Sequence, residues 1–365
     1  MKSKMKIALI AGGGTGGHLF PALSIGKELE KNNVQVQYIG SYYGIEKDFL
    51  INENCNFHLL NITGIQRNFS IKSLYMNFLF PFRFLISYIK SIFIIKKIKP
   101  SIIIGTGGYV SGLPLIAGIH FKIPTVIQDQ NSIPGLITKK LHNKVDKIFL
   151  AYTIASKKLN KNKCVITGNP IKSDLVKIDR SVALKKLNLK PNKKTILILG
   201  GSQGSSPINN YIKKNIQYFI QNKFQIIWQC GDYEFEKLKK ISDKNILIKP
   251  FFKNMSKIYS ASDLIISRAG AITISELTFM SKVAILIPYP QAAENHQDIN
   301  ANYVLKNKAC KIIDQKELES NKLINCIDNL LNDKKQIKEL EKNSKKISKP
   351  YATTNIVKNI MELIK

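Results

Sequence analysis

The sequence predicts an α/β protein of two doubly wound domains facing a cleft, and three observations carry that prediction. Short β-rich runs alternate with longer helical patterns along the whole chain. Each half opens on an apolar run that passes straight into a glycine loop, GGGTGGH at 12–18 and GGSQGS at 200–205. At 365 residues the chain is too long for one ordinary core, and it suits two domains of roughly 150 to 200 residues each.

In chain order, strands are predicted at KIALIA, VQVQYIG, FHLLNI, PSIIIG, PTVIQ, DKIFLAY and CVITG in the first half. The second half repeats the rhythm with KTILILGG, FQIIWQC, NILIKP, DLIISR, VAILIP and CKIID. Such alternation implies parallel sheets with helices on both faces. The boundary is expected near GNPIKSDL, giving a first domain over residues 1–166, a second over 167–350 and a terminal helix over 351–365 that packs back on the first.

A hydrophobic fraction of 44% with 22% charged residues is that of a globular protein. The 56 Lys and Arg against 25 Asp and Glu leave a formal net charge of +31. That excess suits an anionic membrane surface or a phosphorylated substrate, or is simply lysine scattered by compositional drift. Without a compact basic arm or an aromatic-interleaved basic motif, nucleic acid is not an expected partner. The five cysteines are far apart with no CxxC pair, and they read as free thiols in a reducing compartment. The opening MKSKMKIALIAGGG reads as a first strand, since glycines follow where a signal peptide needs a longer apolar core.

The most apolar region runs from Ile71 to Ile98. Its longest uncharged piece, Ser73 to Phe82, is too short for the roughly 18 to 20 residues that cross a bilayer. With Lys72, Arg83, Lys90, Lys96 and Lys97 among its aromatics, it either lies on an anionic leaflet or forms two core-facing helices broken at Pro81.

Gly12, Gly14 and Gly17 satisfy the dinucleotide pattern GxGxxG, but that reading needs an acid at the end of the second strand, and VQVQYIGSYYG has none. A helix N-terminus still favours an anion such as a diphosphate. His18, in the first turn, is positioned either to act as a general base or to cap its turn. GTGGYVSG at 105–112 offers a further glycine loop on the same sheet edge. In SRAGAITISEL, the amides of Ala271 to Ser275 would face phosphate, and Glu276 would accept from ribose hydroxyls. Ser202 adds a hydroxyl and another amide cluster. In PYPQAAENHQDINA, the amides and acids of Gln291, Glu294, Asn295, His296 and Gln297 suit a sugar's hydroxyls. No Asp-x-Asp pair stands anywhere in the chain, so no metal clamp and no cofactor are expected, and helix dipoles with cations would stabilise a leaving diphosphate.

GGGTGGH, GTGGYVSGLP, QDQNSIPG, TGNPIK, GGSQG, SRAGAITISEL and PYPQAAENHQDINA, in this order and spacing, resemble the MurG family of peptidoglycan N-acetylglucosaminyltransferases across nearly the whole chain. The resemblance implies a GT-B fold of two Rossmann-like domains, peripheral at the cytoplasmic face of the plasma membrane. The implied reaction is metal-independent transfer of N-acetylglucosamine, with inversion, from UDP-N-acetylglucosamine to the 4-hydroxyl of the muramyl sugar of lipid I, giving lipid II. By motif, Phe252 would meet the uracil through its backbone, Glu276 the ribose, and Ser202 with Ala271, Ile272, Thr273, Ile274 and Ser275 the diphosphate. Thr15, Gly16, Gly17, Asn131 and Gln297 would contact the sugar region and Lys172 would help bind the donor, with Gly13, Gly14, Gly107, Gly108 and Ser111 at the acceptor diphosphate. His18 is the favoured base, and Tyr109 lies on the acceptor side. Two departures stand out: Lys172 where relatives commonly carry Arg, losing the bidentate fork, and Gln128-Asp129 where many carry His-Glu. A GT-B enzyme acting on a diacylglycerol acceptor would share the donor motifs; GTGGYVSG with QDQN favours lipid I.

Overall fold

The computed structural model describes residues 5–64, 70–241 and 243–364, and the side chains of Asp48, Asn52, Ile71, Lys72 and Ser73 lie outside that set. The chain divides into two compact units, Met1–Lys172 with Pro350–Lys365, and Ser173–Lys349. In the first, β1 (Ile7–Gly12), β2 (Gln35–Ser41), β3 (Phe57–Leu60), β4 (Ile102–Gly107), β5 (Thr125–Asp129), β6 (Lys147–Leu150) and β7 (Cys164–Ile166) form one sheet in the order β3-β2-β1-β4-β5-β6-β7. In the second, β8 (Thr195–Leu199), β9 (Gln225–Gln229), β10 (Ile246–Lys249), β11 (Leu264–Ser267), β12 (Ala284–Leu286) and β13 (Lys311–Ile312) stand in the order β10-β9-β8-β11-β12-β13. All pairings are parallel. In each sheet the order reverses once, between β1 and β4 or between β8 and β11. There, helices leave to opposite faces and a crevice opens at the strands' carboxyl ends.

Every expected strand forms, and the reason lies in two-sided burial. Ala8 and Ile10 turn to a core shared with Leu19, Leu23 and the terminal helix Ala352–Leu363, whereas Leu9 and Ala11 face Ile94, Ile95, Val110 and Leu113 on the opposite side. A strand covered on both faces favours apolar residues at nearly every position, the buried polar ones lying toward its ends. The terminal helix joins the first unit through Ile356, Val357 and Ile360, and Lys147 Nζ reaches Asn359 at 2.7 Å and Glu362 at 3.4 Å. The second sheet packs Ile196, Ile198, Trp228 and Ile266 against Leu323, Ile327 and Leu330.

The division falls after Lys172 because GNPIK is tied backwards. The Thr167 and Gly168 N–H groups donate to the Leu150 carbonyl, and the Asn169 amide bonds Gln128 and the Gln130 carbonyl.

The apolar region forms two helices, Ile71–Phe78 and Phe80–Ile98, broken at Leu79, with Pro81 in the first turn of the second, where its missing N–H costs nothing. Their faces are the reverse of core-facing helices. Ser87, Ser91, Ile94 and Ile95 are buried, while Phe78, Phe82, Ile86 and Phe93 are 71%, 61%, 61% and 68% exposed. Among the described residues, no helix is long and apolar enough to cross a membrane.

Candidate functional site

In the first unit, the loop from β1 into the helix Gly16–Lys31 meets the loop from β4 into the helix Tyr109–His120 at the switch point. The two loops touch, which is why glycine is needed at 107 and 108. A Cβ on Gly107 would lie 2.3 Å from His18 Nδ1, and one on Gly108 would lie 2.5 Å from the Gly13 carbonyl oxygen. Both residues also have positive φ, +105° and +76°, which side chains strain.

Beneath the first loop lies a residue that the sequence reading passed over. Glu46 is fully buried, and its two carboxylate oxygens accept the Gly14 N–H at 2.8 Å and the Ser41 N–H at 2.7 Å. The legible signal was an acid just past β2 flanked by Gly40 and Gly44, both of which crowd its side chain. Of the expected diphosphate contacts, therefore, the Gly14 amide is engaged internally, and buried Ser111 donates its hydroxyl to the Gly108 carbonyl at 2.9 Å. Tyr109 is half-buried and packs its ring against Gly64.

His18 is held from several sides. Its Nδ1 lies 3.1 Å from the Thr106 carbonyl oxygen and 2.9 Å from Gln130 Oε1, and Thr106 Oγ1 donates to the His18 carbonyl at 2.9 Å. Thr15, Gly16 and Gly17 open the same helix, and Lys172 Nζ stands 4.5 Å above the Phe20 ring on it, a cation–π contact. Asn131 follows β5, its N–H donating to Asp129 Oδ1 at 3.3 Å. Asp129 itself is committed to its own turn, accepting also from the Gly135 N–H at 2.8 Å and the Thr138 hydroxyl at 2.6 Å. Thus Thr15, Gly16, Gly17, Asn131 and Lys172 belong to the first unit, whereas Ser202, Phe252, Ala271 to Glu276 and Gln297 belong to the second.

In the second unit the loop holding Ser202 leaves β8, and the helix Ala271–Met280 follows β11. Ile274 N–H already reaches back to the Gly270 carbonyl, so the amides of Ala271, Ile272 and Thr273 form the helix's positive end. The Ser275 hydroxyl donates to the Ala271 carbonyl at 2.9 Å. Glu276 Oε2 accepts from the Tyr259 hydroxyl at 2.7 Å. Burial, reinforced by the Glu276 charge, pushes the Tyr259 pKa far up and keeps that hydroxyl a donor.

Gln297, the second residue of the helix His296–Lys306, accepts the Ala269 N–H at 3.2 Å and the Tyr289 N–H at 3.0 Å on its one amide oxygen. Its oxygen is thereby committed to the main chain. Gln229 is a second residue missed from sequence, although a polar residue closing the apolar strand QIIWQ was a signal. Its Nε2 donates to the Gly201 carbonyl at 3.0 Å and its Oε1 accepts the Phe252 N–H at 3.0 Å, tying the glycine loop to Phe252. Arg268 donates to the Ile287 and Pro288 carbonyls and to Gln315, and burial lowers its pKa to about 10. Among the described residues, no cluster of three or more His, Cys, Asp or Glu side chains could hold a metal ion.

Comparison with known proteins agrees with this layout. The N-terminal domain model of glycosyltransferase family 28 matches residues 8–150, and its C-terminal domain model matches residues 195–362. A relative from Flavobacterium psychrophilum, named UDP-N-acetylglucosamine--N-acetylmuramyl-(pentapeptide) pyrophosphoryl-undecaprenol N-acetylglucosamine transferase, is 39% identical over 98% of this chain and 97% of its own. A relative of the same name from Christiangramia forsetii is 38% identical over 100% of this chain and 99% of its own. Among solved structures, MurG of Acinetobacter baumannii superposes with a TM-score of 0.74 at 25% identity, covering 98% of this chain and 100% of that one.

Proposed function

The chain belongs to glycosyltransferase family 28, among the MurG-type N-acetylglucosaminyltransferases, and on that premise we propose how its residues divide the work. The enzyme transfers N-acetylglucosamine from UDP-N-acetylglucosamine to lipid I, forming lipid II.

The observation that carries the assignment of roles is the pairing of loops at each switch point, with His18 on one pair and Glu276 beside the other. In the second unit, Glu276, steadied by the Tyr259 hydroxyl, holds the ribose diol, and the Phe252 carbonyl meets the uracil, its N–H being engaged by Gln229. The amides of Ala271 to Thr273 and the Ser202 loop take the diphosphate, and the Gln297 NH2 meets an oxygen of the donor sugar or its phosphate. In the first unit, His18 Nε2 removes the proton of the muramyl 4-hydroxyl as that oxygen attacks the anomeric carbon. The bond from that carbon to the phosphate oxygen breaks, UDP leaves, and one displacement inverts the configuration. Gly13, Gly107 and Gly108 line the acceptor side with Tyr109. The developing charge on UDP is met by helix amides, so the transfer proceeds without a divalent cation.

The exposed aromatic face of the helices 71–78 and 80–98 docks on an anionic membrane leaflet. Phe82 and Phe93 enter the acyl boundary, while Arg83, Lys90 and the chain's net charge of +31 meet lipid phosphates at the cytoplasmic surface.

The test is incubation of the purified protein with UDP-N-acetylglucosamine and a short-chain lipid I analogue in excess chelator, following UDP release and product mass. Acceptor-dependent disaccharide is expected. UDP binding without product would place the acceptor assignment in error, and activity lost to chelator would overturn the metal-free reading.

A further inference from the structure

A chain of buried amides runs from His18 into the first unit, and it has a direction. Among the described residues, Gln130 Nε2 faces acceptors alone: the Thr106 carbonyl at 2.7 Å, Gln128 Oε1 at 2.5 Å and the Gln128 carbonyl at 3.3 Å. That surrounding settles which end of the amide is nitrogen, so Oε1 is the end toward His18 Nδ1. Gln128 Nε2 in turn donates to Asn169 Oδ1 at 3.0 Å, and Asn169 Nδ2 donates back to the Gln130 carbonyl at 3.1 Å. Gln128, Gln130 and Asn169 are all buried, so none of these amides can turn over without leaving polar atoms unmet.

Both groups facing His18 Nδ1, a main-chain carbonyl and an amide oxygen, are therefore acceptors, and neither has a proton to give. The neutral ring must carry its hydrogen on Nδ1 and its lone pair on Nε2. The carboxylates of Asp129 and Glu46 are spent elsewhere: Asp129 is turned to its own loop, and Glu46 is held by the Gly14 and Ser41 amides.

We propose that Gln130, seconded by the Thr106 carbonyl and locked by Gln128 and Asn169, is the positioning residue that holds His18 in the Nδ1–H form and presents Nε2 to the acceptor hydroxyl. The role assigned to Gln130 rests on His18 being the base; the tautomer does not. An uncharged partner orients the ring without placing a negative charge beside it. Gln128 joins the two other amides of the lock, accepting from Gln130 and donating to Asn169.

The experiment is 15N NMR of histidine-labelled full-length protein without substrate, with the His18 signals identified by their loss in His18→Ala. In the unsubstituted protein, the neutral ring is expected to show Nδ1 protonated and Nε2 unprotonated. A dominant Nε2–H form overturns the inference with no variant needed. In Gln130→Met, which keeps the length and removes the acceptor, the Nε2–H share rises and kcat falls about tenfold at unchanged KM for UDP-N-acetylglucosamine, the loss of one orienting hydrogen bond. A Gln130→Met protein with the parental tautomer ratio and kcat refutes it. If His18→Ala turns over at the full rate, the base assignment falls instead, a result separable from the tautomer spectrum.

Discussion

Replacing Glu46 with Gln should loosen the first glycine loop by an amount that follows from two hydrogen bonds. The carboxylate accepts two backbone N–H groups, one on each oxygen, at 2.8 and 2.7 Å, from a position with no solvent exposure. An amide has one oxygen, so one of these donors must face an NH2. A hydrogen bond to a charged acceptor is worth about 1.5–3 kcal/mol, and a buried donor left unmet costs in the same range. The Gly14 bond is only part-buried, which makes its loss the cheaper of the two and the one the loop will choose. The expected destabilisation is thus about 1.5–3 kcal/mol. At about 2–4 °C per kcal/mol for a unit of this size, the unfolding transition drops by roughly 3–12 °C. On the proposed division, with the Gly14 loop on the acceptor side and UDP on the other unit, KM for the lipid I analogue should rise several-fold while the affinity for UDP stays put. Differential scanning calorimetry and steady-state kinetics on the same preparation read both. An E46Q protein with the parental transition and the parental acceptor KM would show that the buried carboxylate does not hold the loop.

Three further outcomes are expected. Phe82→Ser with Phe93→Ser removes two aromatics that are 61% and 68% exposed. At about 1–2 kcal/mol each, partitioning onto anionic vesicles should fall about 30- to 1,000-fold, and undiminished co-sedimentation would move the membrane contact elsewhere. Glu276→Gln should weaken UDP binding by about 10- to 100-fold in calorimetric titration, through loss of charged hydrogen bonds to the ribose; an unchanged Kd would remove Glu276 from the nucleotide site. Tyr259→Phe, which deletes only the hydroxyl bonded to Glu276, should weaken UDP binding about fivefold, and an effect as large as that of Glu276→Gln would mean that the tyrosine does more than orient the carboxylate.

Much of the fold was legible in the chain because parallel strands buried on both faces leave long apolar runs, and the glycines mark where those runs turn into helices. IALIA before GGGTGGH and TILIL before GGSQGS name both the strand and the sheet edge at which its glycine loop lies. The families of loops were readable for the same reason. Glu46 was only faintly so, because an acid five residues beyond a strand carries no period, Gly40 and Gly44 before it are the one hint, and its partners are main-chain amides. Gln229 closing QIIWQ gave as weak a signal and Gln130 gave none, since an amide side chain declares neither which end points where nor what it faces.

The sequence by itself determined the strand pattern, the paired glycine loops and the family, because these depend on residue type and spacing along one dimension. Tertiary structure alone decided three things. It spent the Gly14 amide and the Ser111 hydroxyl inside the protein instead of on a ligand. It turned the aromatics of the helix Phe80–Ile98 outward over a buried stripe of Ser87 and Ser91, a choice that an apolar composition cannot announce because both faces of that helix are rich in Ile and Phe. It also placed a carbonyl and an amide oxygen on His18 Nδ1, and with them the position of the proton. Each of these is a matter of which donor meets which acceptor or which face meets the core, and such meetings join residues up to 112 positions apart in the chain.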